Sequence, residues 1–272
     1  MLPRRPLLMG IVNVTPDSFS DGGQFFDAGA AVAQGLRLVA EGADLLDIGG
    51  ESTRPRSEPV AADEELRRVL PVIQRLAREV AILSIDTSKA IVARAAIDAG
   101  VEIINDVTGL EGDPEMAGVA ARTGVGVCVM HMQGTPRTMQ DNPTYHDVVA
   151  EVGEYLRCRR DALANAGVSV DRICLDPGLG FGKTFDHNVQ LMAGCQAFHA
   201  LGCPLLVGPS RKSFLGKIIG DELADRTSAT TGAALSLAMR GVQIIRVHDV
   251  RPVREALLAF DATGGFGSVP AI

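Results

Sequence analysis

The sequence predicts a single (β/α)8 barrel over residues 1–272, and three observations support this fold. Short runs rich in Val, Ile and Leu recur eight times, segments with helical spacing lie between them, and no linker or change of composition divides the chain. Continuous apolar strands joined by helical crossovers are typical of a parallel sheet that is covered on both faces. Eight such units in roughly 250 residues match the size of a (β/α)8 barrel.

The predicted strands and helices alternate along the whole chain. The strands lie in LLMGIVNV, LLDIGG, AILSIDT, EIINDV, GVCVMHM, ICLDPG, LLVGPS and QIIRVHD. Helical segments are predicted over 28–41, 63–79, 89–99, 114–121, 145–166, 186–200 and 227–240. An open doubly wound sheet is the alternative fold. It is disfavoured because no G-x-G-x-x-G motif follows the first strand.

Composition limits the classes of function. With 46% apolar residues the chain can bury a large core, and a formal net charge of -7 argues against a nucleic-acid-binding surface. The five cysteines form no C-x-x-C pair and are odd in number, which fits reduced thiols and a cytoplasmic protein. No membrane partner is expected, because no run approaches the roughly 20 apolar residues that span a bilayer.

Nearly every predicted strand ends in polar residues. In a barrel these carboxyl ends surround the active site. A single Asp or Asn could simply end a strand or cap the next helix, but a polar group at all eight ends favours a site. Alternation along a strand places Asp86 on one face with Ser84, and Arg246 on one face with His248, so we predict that they point inward. The strand-end residues are Asn13, 47–55, Asp86, Asn105, Asp106, 130–136, Asp176, 210–213 and 246–249.

The carboxylate and amide side chains among these residues predict a first kind of ligand group. The oxygens of Asp86, Asn105 and Asp176 suit a planar heterocycle with an amidine-like edge of N–H groups. Metal binding by the two carboxylates is the alternative, although no histidine stands at ligand spacing beside either of them.

A second predicted cluster is cationic. Buried cations usually indicate an anionic substrate group such as phosphate. Ion pairs with Asp47, Glu51 and Asp249 are the alternative. The cluster consists of Arg54, Lys212, Arg246 and His248.

The segment DPGLGFGKT, residues 176–184, is similar to a phosphate-binding P-loop but does not match it. Only three positions separate Gly178 from Gly182, where the motif requires four. We therefore exclude a nucleoside triphosphatase. The glycines are expected to let the backbone approach a flat ligand, with Phe181 either stacking on that ligand or packing in the core.

Eight motifs, in order and on successive strand ends, closely resemble the dihydropteroate synthase family. They are MGIVNVTPDSFSDGG, DIGGESTRP, SIDTSK, INDVTG, MHMQGTPRTMQ, DPGLGFGKT, SRKSFLG and RVHDV. The resemblance covers nearly the whole chain and implies a (β/α)8 barrel and, by similarity, a homodimer. It also implies that 7,8-dihydropterin-6-ylmethyl diphosphate condenses with 4-aminobenzoate to give 7,8-dihydropteroate and diphosphate.

The resemblance further implies a role for each matching residue. Pterin binding is implied for Asp86, Asn105, Met130, Asp176, Phe181, Lys212 and Arg246. Diphosphate binding is implied for Asn13, Arg246 and His248, with Mg²⁺ bridging Asn13 and the phosphate oxygens. The residues implied for 4-aminobenzoate are Thr53, Arg54, Pro55, Phe181, Lys212 and Ser213. Catalytic roles are implied for Asp21, Lys212, Arg246 and His248.

The chemistry of this reaction explains the first loop, NVTPDSFSDGG. Departure of diphosphate leaves a methylene cation delocalised into the pteridine, and the neutral aniline amine needs no strong general base. We expect the loop to act as a lid that closes over this cation, with Asp21 at the amine site and Gly22 and Gly23 as hinges.

The second loop departs from the pattern of the family. It reads STRPRSEP, which places Arg56 where the family usually has glycine and bears on 4-aminobenzoate affinity and sulfonamide sensitivity.

Two alternative functions are compatible with the ring pocket. A methyltetrahydrofolate–corrinoid methyltransferase would share this pocket but lack the loops and the diphosphate site. A non-catalytic pterin-binding subunit would retain only the ring pocket.

Overall fold

The computed structural model describes residues 5–15, 28–79 and 82–266, and its strands form a parallel barrel. In sheet order, β6-β5-β4-β3-β2-β1-β8-β7, every neighbouring pair is parallel. A further parallel bridge between Leu175 and Leu205 joins the two ends of the sheet. The eight strands are β1 (Leu7–Asn13), β2 (Leu45–Gly49), β3 (Leu83–Asp86), β4 (Ile103–Asp106), β5 (Gly126–Met130), β6 (Ile173–Asp176), β7 (Leu206–Val207) and β8 (Ile244–Val247). The predicted (β/α)8 barrel is confirmed.

Helices alternate with the strands over the described residues. They are α1 (Ala28–Ala40), α2 (Ala62–Leu76), α3 (Ala90–Asp98), α4 (Met116–Thr123), α5 (Val148–Asn165), α6 (Phe185–Gly194), α7 (Ser213–Ile219), α8 (Thr227–Met239) and α9 (Val250–Ala262). Each of the seven predicted segments overlaps a helix, whereas α7 and α9 were not among those predictions. Helix α5 begins three residues later than predicted because the Asp147 carboxylate caps it, accepting from the N–H groups of Val149 and Ala150 at 3.0 Å each.

Alternation along the strands divides the core into two parts. Outward-facing residues such as Leu46 and Ile85 join the large apolar cluster between the barrel and its helices. Inward-facing Met9, Leu45, Cys128 and Leu206 form a separate apolar cluster that fills the amino-terminal half of the barrel. The polar residues therefore have only the carboxyl-terminal half of the interior available, which is where barrel active sites form.

Other sequence predictions have mixed outcomes. All five cysteines are free, as reduced thiols require. No helix within the described ranges is long and apolar enough to cross a membrane. Asp21, Gly22 and Gly23 lie outside the described residues, so the predicted lid remains a prediction from the sequence.

Candidate active site

Strand register brings the polar strand ends to one level. Asp86 of β3 is the Cα partner of Gly49 on one side and of Asn105 on the other. Farther round the barrel, Met130 of β5 is the partner of Asp176. The residues of the predicted ring pocket therefore line one end of the barrel, as a common register of parallel strands requires.

Arg246 of β8 joins two carboxylates across the barrel interior. Its Nε donates to Asp47 Oδ2 at 2.6 Å and its Nη2 donates to Asp86 Oδ2 at 2.8 Å. The same Asp47 oxygen accepts from Asn105 Nδ2 at 2.9 Å. Arg246, predicted to be either an anion ligand or an ion-pair partner, is thus ion-paired in the ligand-free barrel.

Asp249 and Glu51 were the other two predicted ion-pair partners, and both pair with cations outside the predicted cluster. Asp249 pairs with Arg211 at 2.7 Å, and Glu51 pairs with Lys89. No ion pair to Arg54 or Lys212 is present within the described residues. Arg54 and Lys212 therefore keep their charge available for a ligand.

Burial dominates the electrostatics of the two ring-pocket carboxylates. It raises the pKa of Asp86 to about 7, against the attraction of Arg246 and with added repulsion from Asp47. It also raises the pKa of Asp176 to about 6, against a hydrogen bond from the Gly178 N–H at 2.7 Å. Both groups are buried acceptors that would gain from N–H donors on a ligand.

Lys212 and Phe181 contact each other at the barrel mouth. The ammonium Nζ lies 4.2 Å from the centre of the Phe181 ring, in cation–π geometry. Burial, together with repulsion from Arg246, lowers the pKa of Lys212 to about 8. Ser213 follows directly as the exposed first residue of α7.

His248 is neutral in this structure, in contrast to the predicted cationic cluster. Burial lowers its pKa to about 3, helped by repulsion from Arg246, Arg211, Lys212 and Arg54. Four cations therefore converge on the position where a diphosphate was predicted.

Ser210 contacts both the backbone and the imidazole ring of His248. The Ser210 hydroxyl oxygen accepts the backbone N–H of His248 at 3.1 Å and lies 3.0 Å from its Nδ1. A hydroxyl that accepts one bond can donate its own hydrogen to Nδ1. When the hydroxyl donates in this way, the ring proton is on Nε2, where it can be donated to a ligand.

The glycine-rich turn after β6 packs against protein backbone. Gly178 and Gly182 have positive φ, and a Cβ would lie 2.0 Å from the His131 carbonyl oxygen and 2.4 Å from that of Gln133, respectively. On the side where a Cβ would stand, both glycines pack on the loop after β5, and the flat ligand predicted there has no room. Gly180 alone faces Lys212.

Lys183, which occupies the place of the P-loop lysine, is buried inside this turn. Its Nζ lies 2.9 Å from His131 Nδ1, 3.2 Å from the His131 carbonyl oxygen and 2.9 Å from that of Phe181. These contacts leave no role for it on a phosphate, which agrees with the exclusion of a nucleoside triphosphatase.

The second loop borders a cavity beside Asp86. The cavity measures about 280 Å³ and is lined by Thr53, Ser57 and Pro59 of this loop together with Asp86. Arg54 and Pro55 are exposed nearby. The loop thus brings Thr53 to the ring pocket, whereas Lys212 and Ser213 approach it from β7.

Arg56 adopts a backbone conformation that favours glycine. Its φ is +65°, a left-handed conformation that costs a non-glycine residue about 1 kcal/mol. Its N–H donates to the Pro136 carbonyl oxygen at 3.0 Å, which ties the loop to the segment after β5. The loop keeps the glycine-type turn in spite of the substitution.

Asn13 ends β1 on the inward face, because residues two and four positions apart share a face of a strand and Met9 faces inward. Its side chain makes no hydrogen bond to the described residues, so its amide oxygen is available as a metal ligand. No cluster of three His, Cys, Asp or Glu side chains suited to a metal occurs in the described part of the chain. One neutral oxygen fits Mg²⁺ only if phosphates and water complete its coordination.

Sequence reasoning missed three residues that hold this site together. Asp47 and Ser210 were included only as members of polar strand ends, Asp47 also as an ion-pair partner, and Lys183 was given no role. A signal existed for Asp47, because a carboxylate in the middle of a continuous apolar strand must have a partner. The polar strand end SRKS includes Ser210, but its contact with His248 depends on the loops after β7 and β8 meeting.

Comparison with known proteins identifies the family to which the chain belongs. The family described as "Pterin binding enzyme" matches residues 9–248, which makes the chain a pterin-binding enzyme on a TIM barrel. The chain belongs to the dihydropteroate synthase family within that class. It is 45% identical over 259 residues to dihydropteroate synthase of Escherichia coli (strain K12), covering 95% of this chain and 92% of that protein.

Two solved structures of Xanthomonas albilineans dihydropteroate synthase are also similar. The one with 4-aminobenzoic acid has a TM-score of 0.90 and 49% identity, covering 95% of this chain and 93% of that chain. The one in complex with 7,8-dihydropteroate has a TM-score of 0.86 and 47% identity, covering 95% and 94%. The fold and the family thus agree over nearly the full length.

Proposed function

We propose that this chain condenses 7,8-dihydropterin-6-ylmethyl diphosphate with 4-aminobenzoate to form 7,8-dihydropteroate and diphosphate. It acts as a dihydropteroate synthase, a transferase of folate biosynthesis. The observation that carries the proposal is the position of Arg246. It contacts the buried Asp86 carboxylate at 2.8 Å and is one of the four cations around His248. Ring acceptors and an anion site thus meet at one residue.

Asp86, Asn105 and Asp176 hold the pterin ring in this proposal. Asp176 and Asp86 are both buried, and each raised pKa reflects a carboxylate without enough donors. The amino and ring N–H groups of a pterin supply such donors in one plane. Met130 lies against Gly178 beside Asp176, and with Phe181 it would line the faces of the ring.

Arg246, His248 and Asn13 hold the diphosphate. Nε2–H of His248 donates to a phosphate oxygen, and the positive field of Arg54, Arg211 and Lys212 stabilises the anion. When Mg²⁺ is bound, Asn13 would hold it against the diphosphate, where it neutralises charge on the leaving group.

The 4-aminobenzoate site lies between the second loop and the start of α7. Lys212 and Ser213 supply polar contacts on one side, with Phe181 as an aromatic surface. Thr53, Arg54 and Pro55 approach from the other side. The role of Asp21 at the amine follows from the family motif alone.

Catalysis proceeds by departure of the leaving group. The C–O bond between the methylene and the diphosphate breaks, and the bonding electrons leave with diphosphate. The amine nitrogen of 4-aminobenzoate then forms a bond to the methylene carbon and loses its proton to water. Arg246, Lys212 and His248 act chiefly on the departing charge, since electrostatic stabilisation at the site of charge development is usually the largest contribution.

Release of diphosphate tests this function. Purified protein is incubated with the pterin diphosphate, Mg²⁺ and 4-aminobenzoate, and diphosphate and 7,8-dihydropteroate are measured together. We expect equimolar formation of both products. Methyl transfer from methyltetrahydrofolate to a corrinoid acceptor, or pterin binding without any diphosphate release, would contradict it.

We also propose a cytoplasmic homodimer. Exposed large apolar side chains on consecutive helices support the assembly, because such surfaces often mark protein interfaces. They include Val189 on α6, Ile218 and Ile219 on α7, and Met239 on α8. Sedimentation equilibrium should give twice the 28.6 kDa chain mass, and Ile218→Asp should shift the mass toward the monomer.

His248→Ala should separate binding of the leaving group from binding of the ring. The variant loses the Nε2 donor but leaves Asp86, Asn105 and Asp176 intact, so the diphosphate substrate should bind about tenfold or more weakly. Calorimetry with the unphosphorylated hydroxymethyl pterin should give nearly unchanged affinity. Equal losses for the two ligands would indicate that His248 only supports the loops after β7 and β8.

Lys212 should determine the alkaline limb of the pH profile. Its pKa of about 8 in the free protein means that its charge is present below pH 8 and is lost as the pH rises further. We expect kcat/KM for the pterin diphosphate to fall above about pH 8, since kcat/KM reports ionisations of the free enzyme. In Lys212→Arg the guanidinium stays protonated, so the remaining activity should lack this limb. An unchanged limb would assign it to another group.

A further inference from the structure

Asp47 is the most deeply buried member of the polar network in the barrel. It has no exposed surface and lies in the middle of β2, at a position given no binding or catalytic role above. Its Oδ2 accepts from Asn105 Nδ2 at 2.9 Å and from Arg246 Nε at 2.6 Å. A single carboxylate oxygen therefore holds side chains from β4 and β8.

The bond to Asn105 fixes the orientation of its amide. An ionised carboxylate accepts but cannot donate, so the NH2 group of Asn105 must face Asp47. The carbonyl oxygen of Asn105 then points away and remains available. Asn105 thus offers a ligand an acceptor, which complements the N–H groups of a pterin edge.

The bond to Arg246 fixes the orientation of its guanidinium. With Nε held by Asp47 and Nη2 held by Asp86, two of the three nitrogens are engaged. Nη1 makes no hydrogen bond to the described residues and is left for a ligand. The side chain loses rotamer freedom before any ligand binds, which reduces the entropy cost of binding.

We infer that Asp47 is a positioning residue, which presents the acceptor of Asn105 and the free Nη1 group of Arg246 to the pterin substrate. This inference rests on the proposed function, because it concerns the same pocket. Asp47 touches no substrate itself, since Asn105 and Arg246 lie between it and the ligand.

The charge of Asp47 has a separate, measurable consequence. When both are ionised, Asp47 and Asp86 together carry one negative charge more than Arg246 neutralises. The groups acting on Asp86 are Arg246, which lowers its pKa, and Asp47, Glu65 and Asp106, which add to the effect of burial in raising it. Removing the charge of Asp47 should therefore lower the pKa of Asp86.

The test compares Asp47→Asn with the wild-type protein, first without ligand. Asparagine has nearly the same shape, and its oxygen can take the place of Oδ2 and accept both bonds. NMR titration of the ¹³C-labelled Asp carboxyls should show the Asp86 midpoint lowered by about half a pH unit or more. An unchanged midpoint would overturn the charge part of the inference, whether or not the protein binds a pterin.

The second step measures binding of the unphosphorylated hydroxymethyl pterin by calorimetry at pH 7.5. Asp47→Asn should retain most of the wild-type affinity, whereas Asp47→Ala, which cannot hold either partner, should lose at least about tenfold. Equal affinity in a folded Asp47→Ala variant, or an equal loss in both variants, would overturn the positioning role. Absence of binding by the wild type would instead contradict the proposed function.

Asp44→Asn is the matched control. Asp44 immediately precedes β2 at the opposite end of the barrel, where it accepts two bonds from Arg5 at 2.8 Å each and one from the Leu8 N–H at 2.8 Å. The substitution removes a comparable ion pair far from the pocket. It should change neither the Asp86 midpoint nor pterin affinity. A shift equal to that of Asp47→Asn would show that the effect is non-specific and would overturn the inference.

Discussion

Replacement of Asp176 by alanine is expected to weaken pterin binding by about 2 to 4 kcal/mol, because ring N–H groups would be buried without an acceptor. Asp176 is buried at the end of β6, and among the described residues the only hydrogen bond to its carboxylate runs from the Gly178 N–H to Oδ1. Oδ2 remains for the ligand. Calorimetry with the unphosphorylated pterin measures this loss without a contribution from the diphosphate.

Asp176→Asn should separate affinity from stability. The folded pKa of Asp176, about 6, lies above its ordinary value of 3.8, so the folded state binds more protons than the unfolded state between these values. Stability therefore falls as the pH rises through this window, and the penalty is fully present above pH 6. Asparagine carries no charge, so the variant should be more stable at pH 7 by at most about 3 kcal/mol, with little gain near pH 4. Its NH2 group would nevertheless face ring donors, and pterin affinity should fall.

Asp106→Asn is the control for this pair of effects. Asp106 is also buried at a strand end, and burial raises its pKa to about 6 as well. It faces away from the barrel interior, where its Oδ1 accepts from the N–H and hydroxyl of Thr108. The variant should leave pterin affinity unchanged. Unchanged affinity in folded Asp176→Ala would show that Asp176 is not part of the ring pocket.

The fold could be predicted because it depends on local patterns. Each strand is a short apolar run, and the period-two alternation of β3 and β8 correctly placed Asp86 and Arg246 on inward faces. Helices α7 and α9 were not predicted individually. Helix α7 is only seven residues long and follows directly on the polar segment SRK, which gives little periodicity to detect.

The interactions within the site could not be predicted from the same patterns. Asp47 and Arg246 are 199 residues apart and lie on strands that both pair with β1, so their contact depends on the barrel register. The neutral state of His248 arises from burial and from four cations, which lie on strand β8 and on the loops after β2 and β7. Both properties are consequences of tertiary packing. A residue pattern can predict a polar strand end, but it does not determine charge state or pairing.

Arg246→Met is expected to produce the largest loss of stability. Asp47 has no exposed surface and Asp86 is buried, and Arg246 is the only cation that forms an ion pair with either of them among the described residues. Breaking a buried ion pair by removing one partner costs about 3 to 5 kcal/mol, because a charge is left uncompensated. Since 21% of the Arg246 side chain remains exposed, we expect a value near the lower end. Urea unfolding at pH 8 measures it.

The loss in Arg246→Met should depend on pH. Without the guanidinium, the pKa of Asp86 rises further above that of an unfolded Asp, so the folded variant takes up protons as the pH falls. Its deficit against the wild type should therefore be smaller at pH 5.5 than at pH 8. Adding Asp47→Asn to Arg246→Met removes one of the two unpaired charges and should recover part of the loss, a coupling that a double-mutant cycle quantifies. A deficit that is equal at both pH values and is not reduced in the double variant would mean that Arg246 stabilises the barrel by packing, and that its contacts with Asp47 and Asp86 contribute little.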